Sequence, residues 1–87
     1  RDRILSLALR MAALAKRFAM REGDDTFEFR LALGLARSLI TSTRFILDPT
    51  LTDRMILRAR YILERIDRCP EGSEARFKLP LQELFYE

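Results

Sequence analysis

The chain has 87 residues and a net charge of +3, with no histidine and one cysteine. Without histidine, it cannot supply a serine–histidine or cysteine–histidine catalytic pair or a histidine-bound metal. A single cysteine also excludes an intrachain disulfide and a thiolate cluster.

The composition also argues against several further classes of function. The three glycines form no phosphate-binding fingerprint, so we expect neither an enzyme nor a cofactor, and no metal. No apolar run is long enough to span a bilayer, and no signal-peptide pattern is present. The lone Cys69 suits a reducing compartment, and we expect a cytoplasmic protein that does not enter a membrane.

The first predicted helix covers residues 3–21 and is apolar over a wide arc. Leu5 and Leu9 broaden that arc, which predicts a central helix that touches two neighbours. One apolar row follows a heptad seam, and a row of small residues runs beside it: Ile4, Leu7, Met11, Leu14 and Phe18, then Ala8, Ala12, Ala15 and Ala19.

Gly23 predicts the end of this helix, and a second helix follows at 26–47. Asp25 and Glu28 resemble an acidic capping box. Gly34 is expected on the solvent side, and no acid of the first two helices is expected to face the core. The apolar face is predicted to contain Phe29, Ala32, Leu33, Ala36, Leu39, Ile40, Thr43 and Leu47.

The pair Asp48-Pro49 breaks the second helix and predicts a third at 49–69, capped by Asp48 or Thr50. Cys69 is expected to act as a small apolar residue on its inner row. That row contains Leu51, Met55, Ala59, Ile62, Ile66 and Cys69.

The pattern changes after residue 72. We therefore expect a helical bundle over 1–72 and a C-terminal arm over 73–87, which packs on the bundle or on a partner. The residues expected to dock this arm are Phe77, Leu79, Leu81, Leu84 and Phe85. The predicted fold is all-α, an antiparallel three-helix bundle with an arm, completed to a larger bundle by oligomerisation.

Arginine recurs at seven-residue spacing on the first two helices: Arg3, Arg10 and Arg17, then Arg30, Arg37 and Arg44. Such rows fit the flanks of a helix-packing face, where charges select partners. A third set forms one stripe on the third helix and could grip phosphates while its tyrosine stacks on a base. This candidate partner or nucleic-acid site comprises Arg54, Arg58, Tyr61, Arg65 and Arg68.

Three functions follow from these patterns, of which the third is a small regulator that inserts the apolar residues of its arm into a groove of a partner. The first is a non-enzymatic helical protein–protein interaction or assembly module, which binds a protein partner or itself as a homodimer. The alternative is a small basic RNA- or DNA-binding domain that uses the stripe on the third helix. Arg10 and Arg17 would extend that second surface.

Overall fold

The computed structural model describes residues 2–45 and 48–69, which form three packed α-helices. They are α1 (Asp2–Glu22), α2 (Phe27–Arg44) and α3 (Pro49–Asp67). Over these residues the all-α prediction and the three-helix count are confirmed. The proposed arm at 73–87 and the end of the predicted bundle at residue 72 lie outside the described residues.

The buried side chains of α1 all belong to its two predicted rows of apolar and small residues. Met11 is fully buried, and α1 packs against both α2 and α3, most extensively against α2. Small side chains on the same side let the neighbouring helices approach closely. The buried residues of α1 are Leu7, Ala8, Met11, Leu14, Ala15 and Phe18.

The turn between α1 and α2 depends on Gly23. Its φ of +89° is in the left-handed region, and its amide donates to the Ala19 carbonyl at 2.8 Å. Glycine adopts this conformation without the steric cost that a side chain would add. The cap of α2 is Thr26, whose hydroxyl accepts from the Phe29 amide at 3.2 Å, so the Asp25 prediction is wrong by one residue.

The second helix ends at Arg44, three residues before its predicted end at 47. Phe45 is extended and closes the helix by donating its amide to the Thr41 carbonyl at 3.1 Å. The hydroxyls of Thr41, Ser42 and Thr43 all donate to carbonyls one turn back. Such side-chain bonds compete with the backbone pattern that would continue a helix.

The third helix begins as predicted at Asp48-Pro49. The Asp48 carboxylate accepts from the Thr50 amide at 2.8 Å, and Pro49 occupies the first helical turn, where no amide donor is needed. Leu51 is exposed, against its predicted place on the inner row, while Cys69 is half-buried. The buried residues of α3 are Met55, Ala59, Ile62, Leu63 and Ile66.

These three faces share one core. Met11, Leu14, Leu39 and Ile62 are its largest fully buried side chains. Burial of each such side chain stabilises the fold by roughly 1.5–3 kcal/mol. Among the described helices, none has the length and hydrophobicity needed to cross a membrane.

Candidate functional site

The predicted stripe of α3 lies along one side of the helix, as its spacing of three and four residues requires. Arg54 and Arg68 are exposed, while Arg58, Tyr61 and Arg65 are half-buried. The stripe is therefore partly the edge of the core and partly solvent-facing. Its role in binding stays a prediction.

Tyr61 is engaged within the chain. Arg65 Nη1 donates to the Tyr61 hydroxyl at 2.7 Å, and the Arg65 guanidinium carbon lies 5.5 Å from the centroid of the tyrosine ring. Tyr61 also packs against the buried core. A nucleic-acid base that stacked on this ring would have to share it with Arg65 or displace the arginine.

An open cleft of about 380 Å³ lies between the first half of α1 and α3. Ile4, Leu7 and Ile56 supply its apolar lining. Arg3, Arg10 and Arg60, all exposed residues, also line it, together with Ser6. The cleft thus combines an apolar surface with three cations, a combination that suits an anionic ligand with an apolar part.

Sequence reasoning did not find this cleft. The seven-residue spacing of Arg3 and Arg10 placed both on one side of α1, but nothing linked them to Arg60, which lies outside the predicted stripe of α3. The packing of α3 against α1 brings Arg60 to the same cleft as Arg3 and Arg10. The same packing places Arg10 beside Asp67. Their charged atoms are 3.7 Å apart, and both side chains are more than half exposed, so the pair contributes at most about 1 kcal/mol.

The side of α1 away from its core face is also apolar. Leu9 is 69% exposed and Met20 is 76% exposed, while Leu5 and Ala13 are exposed nearby. At about 100° per residue, these positions fall within one sector of the helix, together with Lys16. We call Leu5, Leu9, Ala13 and Met20 the outer apolar stripe of α1.

The arginine row of α2 faces solvent. Arg30, Arg37 and Arg44 are all exposed, and the structure shows no ion pair for them with any described residue. Gly34 lies on the same exposed side, as predicted. These cations are free to meet a polyanion or an acidic protein surface.

Glu28 is the one buried charged residue among those that the structure describes, with 8% of its surface exposed. The expectation that no acid of α1 or α2 faces the core is therefore wrong. Glu28 is not isolated, because it takes part in an interaction inside the chain. Across residues 2–45 and 48–69, no group of three acidic or cysteine side chains is placed to hold a metal ion.

The five residues predicted to dock the arm, from Phe77 to Phe85, lie outside the described part of the chain.

Comparison of the sequence with protein-family models, with curated proteins and with solved structures finds no match.

Proposed function

We propose that this chain is a non-enzymatic helical interaction and assembly module, with the outer apolar stripe of α1 as its contact surface. The observation that carries the proposal is the exposure of Leu9 and Met20 on a helix whose opposite side already forms the core. Helix α1 thus has two apolar faces, and within the described chain only its inner face is buried against other helices.

The energetics favour a helical partner. Complete burial of an exposed leucine or methionine contributes roughly 1.5–3 kcal/mol. Ala13 lies between Leu9 and Met20 on the stripe and would let a second helix come close. Lys16 can lay its aliphatic stem over the contact while its ammonium group stays in water.

We also infer the direction of the helices. The short connection from Gly23 to Thr26, together with the extensive packing of α1 against α2, supports a sharp reversal of direction between these two helices. Arg10 lies beside Asp67 near the end of α3, whereas Arg3 and Ile56 belong to the same cleft. This correspondence supports α1 and α3 running in the same direction, with α2 antiparallel to both and room for a further helix beside α1.

Two kinds of partner fit the stripe. A second copy would bring its own stripe, giving a homodimer with the same patch on both sides. In an antiparallel pairing of two α1 helices, Arg10 and Arg17 of each copy would face those of the other, so salt should strengthen this dimer. An acidic protein partner would instead pair with these arginines, and salt should weaken that complex.

The test is sedimentation equilibrium of the chain at micromolar concentration. We expect a species larger than the monomer, and we expect Leu9→Glu to convert it to monomer, because a carboxylate would be forced into the contact. Leu57→Glu is the matched control, since Leu57 is 62% exposed but lies on α3. It should leave the association unchanged.

The two variants also decide the location of the contact. A wild-type chain that remains monomeric at both low and high salt would remove self-association. An equal effect of Leu9→Glu and Leu57→Glu would show that α1 is not the specific surface. Circular dichroism should report the same helix content in all three proteins, because both leucines project largely into solvent.

The alternative function is binding of RNA or DNA. The exposed row Arg30, Arg37 and Arg44, without ion pairs to other described residues, favours it. Together with the exposed Arg54 and Arg68 of the α3 stripe, it offers cations on two helices. Contacts of this kind neutralise phosphates and release counterions, so the affinity should fall steeply as salt rises.

A further inference from the structure

We propose that the cleft between α1 and α3 binds residues 81–87 of the same chain. The cleft is a different surface from the outer apolar stripe and shares only Arg10 with the partner contacts proposed above, so this inference does not require that the stripe binds a partner. The cleft has an apolar lining and a cationic border. The segment Leu-Gln-Glu-Leu-Phe-Tyr-Glu has the complementary composition, apolar residues with two carboxylates and no cation.

The charges of the cleft are available for such a ligand. Arg3 and Arg60 form no ion pair with any residue that the structure describes. Within residues 2–45 and 48–69, the one ion pair of Arg10 is its exposed 3.7 Å contact with Asp67. Guanidinium groups bind carboxylates through paired, parallel hydrogen bonds, so Glu83 and Glu87 are suitable anions for this border.

The apolar lining distinguishes this ligand from a nucleic acid. Ile4, Leu7 and Ile56 would gain little from a phosphate backbone, because phosphate oxygens remain hydrated or paired with cations. Leu84 and Phe85 would instead be removed from water against these three side chains. A segment that carries both carboxylates and large apolar groups uses the whole cleft.

The geometry of the chain permits the contact. Asp67 lies beside Arg10, which borders the cleft, so the chain leaves α3 close to the proposed site. The connecting residues 68–80 can span up to about 45 Å when extended. The separation of seven positions between Arg3 and Arg10 corresponds to only about 10 Å along the helix. The connection is therefore long enough for residues 81–87 to turn back along the cleft.

The first experiment places a fluorescent reporter in the full chain. The sequence contains no tryptophan and two tyrosines, so Phe85→Trp introduces a single tryptophan, which can be excited selectively at wavelengths that tyrosine does not absorb. We expect emission at a shorter wavelength than that of the same protein in denaturant, because the indole would be shielded from water in the cleft. Emission equal to that of the denatured chain would overturn the proposal.

Charge variants of the reporter protein then identify the cleft. Arg60→Glu should abolish most of the blue shift, while Arg37→Glu, an equal charge reversal on the exposed side of α2, should preserve it. Within the C-terminal residues, Glu83→Gln with Glu87→Gln should abolish it, and Glu71→Gln with Glu74→Gln should not. If the members of either pair behave alike, the proposed contact is wrong.

Two controls exclude other causes. Arg60 is exposed, so circular dichroism should show unchanged helix content in Arg60→Glu, and the milder Arg60→Gln should reduce the blue shift to a smaller extent. The blue shift should not change on dilution. A shift that disappears on dilution would place the segment in a second copy and overturn the intrachain contact.

Discussion

Thr26 and Asp25 illustrate how finely a helix start depends on a single residue. Both side chains can accept a hydrogen bond from a free amide of the first turn, and both belong to the preferred capping types. The sequence could therefore place the start of α2 only to within one residue. The structure selects Thr26, whose hydroxyl accepts from the Phe29 amide.

This selection leads to a prediction about stability. Thr26→Ala removes the acceptor for the Phe29 amide and should lower the free energy of unfolding by about 1 kcal/mol. Asp25→Ala, one residue earlier, should change it by less than half as much, because among the described residues the capping bond is made to Thr26 and not to Asp25. Urea denaturation of both variants would measure the difference, and a larger loss for Asp25→Ala would contradict the assignment.

Glu28 shows what residue-level reasoning missed. Its position in the first turn of α2 predicted a favourable interaction of its carboxylate with the positive end of the helix. Such an interaction does not require the side chain to be buried. Its burial follows from its position around the helix, on the side that also carries the buried Ala32 and Leu35. The helical period places Glu28 on the buried side of α2, but the capping box already offers a reason for a carboxylate at this position.

At the scale of single elements, the periodicity of apolar residues predicted all three helices and most of the buried positions. The buried Met11 and Leu14 of α1 and Ile62 of α3 all belong to the predicted inner rows. The end of α2 and the exposure of Leu51 were not predicted. Both lie near helix ends, where side-chain hydrogen bonds and the path of the connection outweigh periodicity.

The two sides of α1 can be compared with one residue type. Met11→Ala should reduce the free energy of unfolding by about 2–5 kcal/mol, because it leaves a cavity in the core. Met20→Ala, at a residue that is 76% exposed, should change it by no more than about 0.5 kcal/mol in the monomer. Chemical denaturation of dilute protein gives both values. Equal losses would mean that the two sides of α1 are not distinct.

At the scale of the whole molecule, the sequence predicted the rows of arginine but not the surfaces that they form. The row of α2 faces solvent, whereas Arg3 and Arg10 of the α1 row meet Arg60 of α3 at a cleft. Such a meeting depends on how the helices are rotated against one another, which spacing along one helix does not determine. The candidate site was thus predictable within each helix and not between helices.

The nucleic-acid alternative makes a prediction at the same scale. Retention on an RNA or DNA column should decrease as salt rises, and a pair of charge reversals on the contact surface should abolish it. Arg58→Glu with Arg65→Glu tests α3, and Arg30→Glu with Arg37→Glu tests α2. Each pair lowers the net charge from +3 by four, so overall charge is matched.

The comparison between these two double variants shows which helix contacts the nucleic acid. If only the α3 pair abolishes retention, the stripe around Tyr61 is the binding surface. If only the α2 pair does so, the solvent-facing row is the surface. Equal partial losses would indicate attraction by net charge alone, and no retention of the wild-type chain at low salt would remove the alternative.

The tight connection at Gly23 also bears on the route by which the chain folds. Only four residues separate α1 from α2, and the contact between these two helices is the most extensive among the three described helices. Closing so short a loop has a small entropic cost, and contacts between near neighbours in sequence form quickly. We therefore expect the α1–α2 hairpin to form first and to provide the template on which α3 docks.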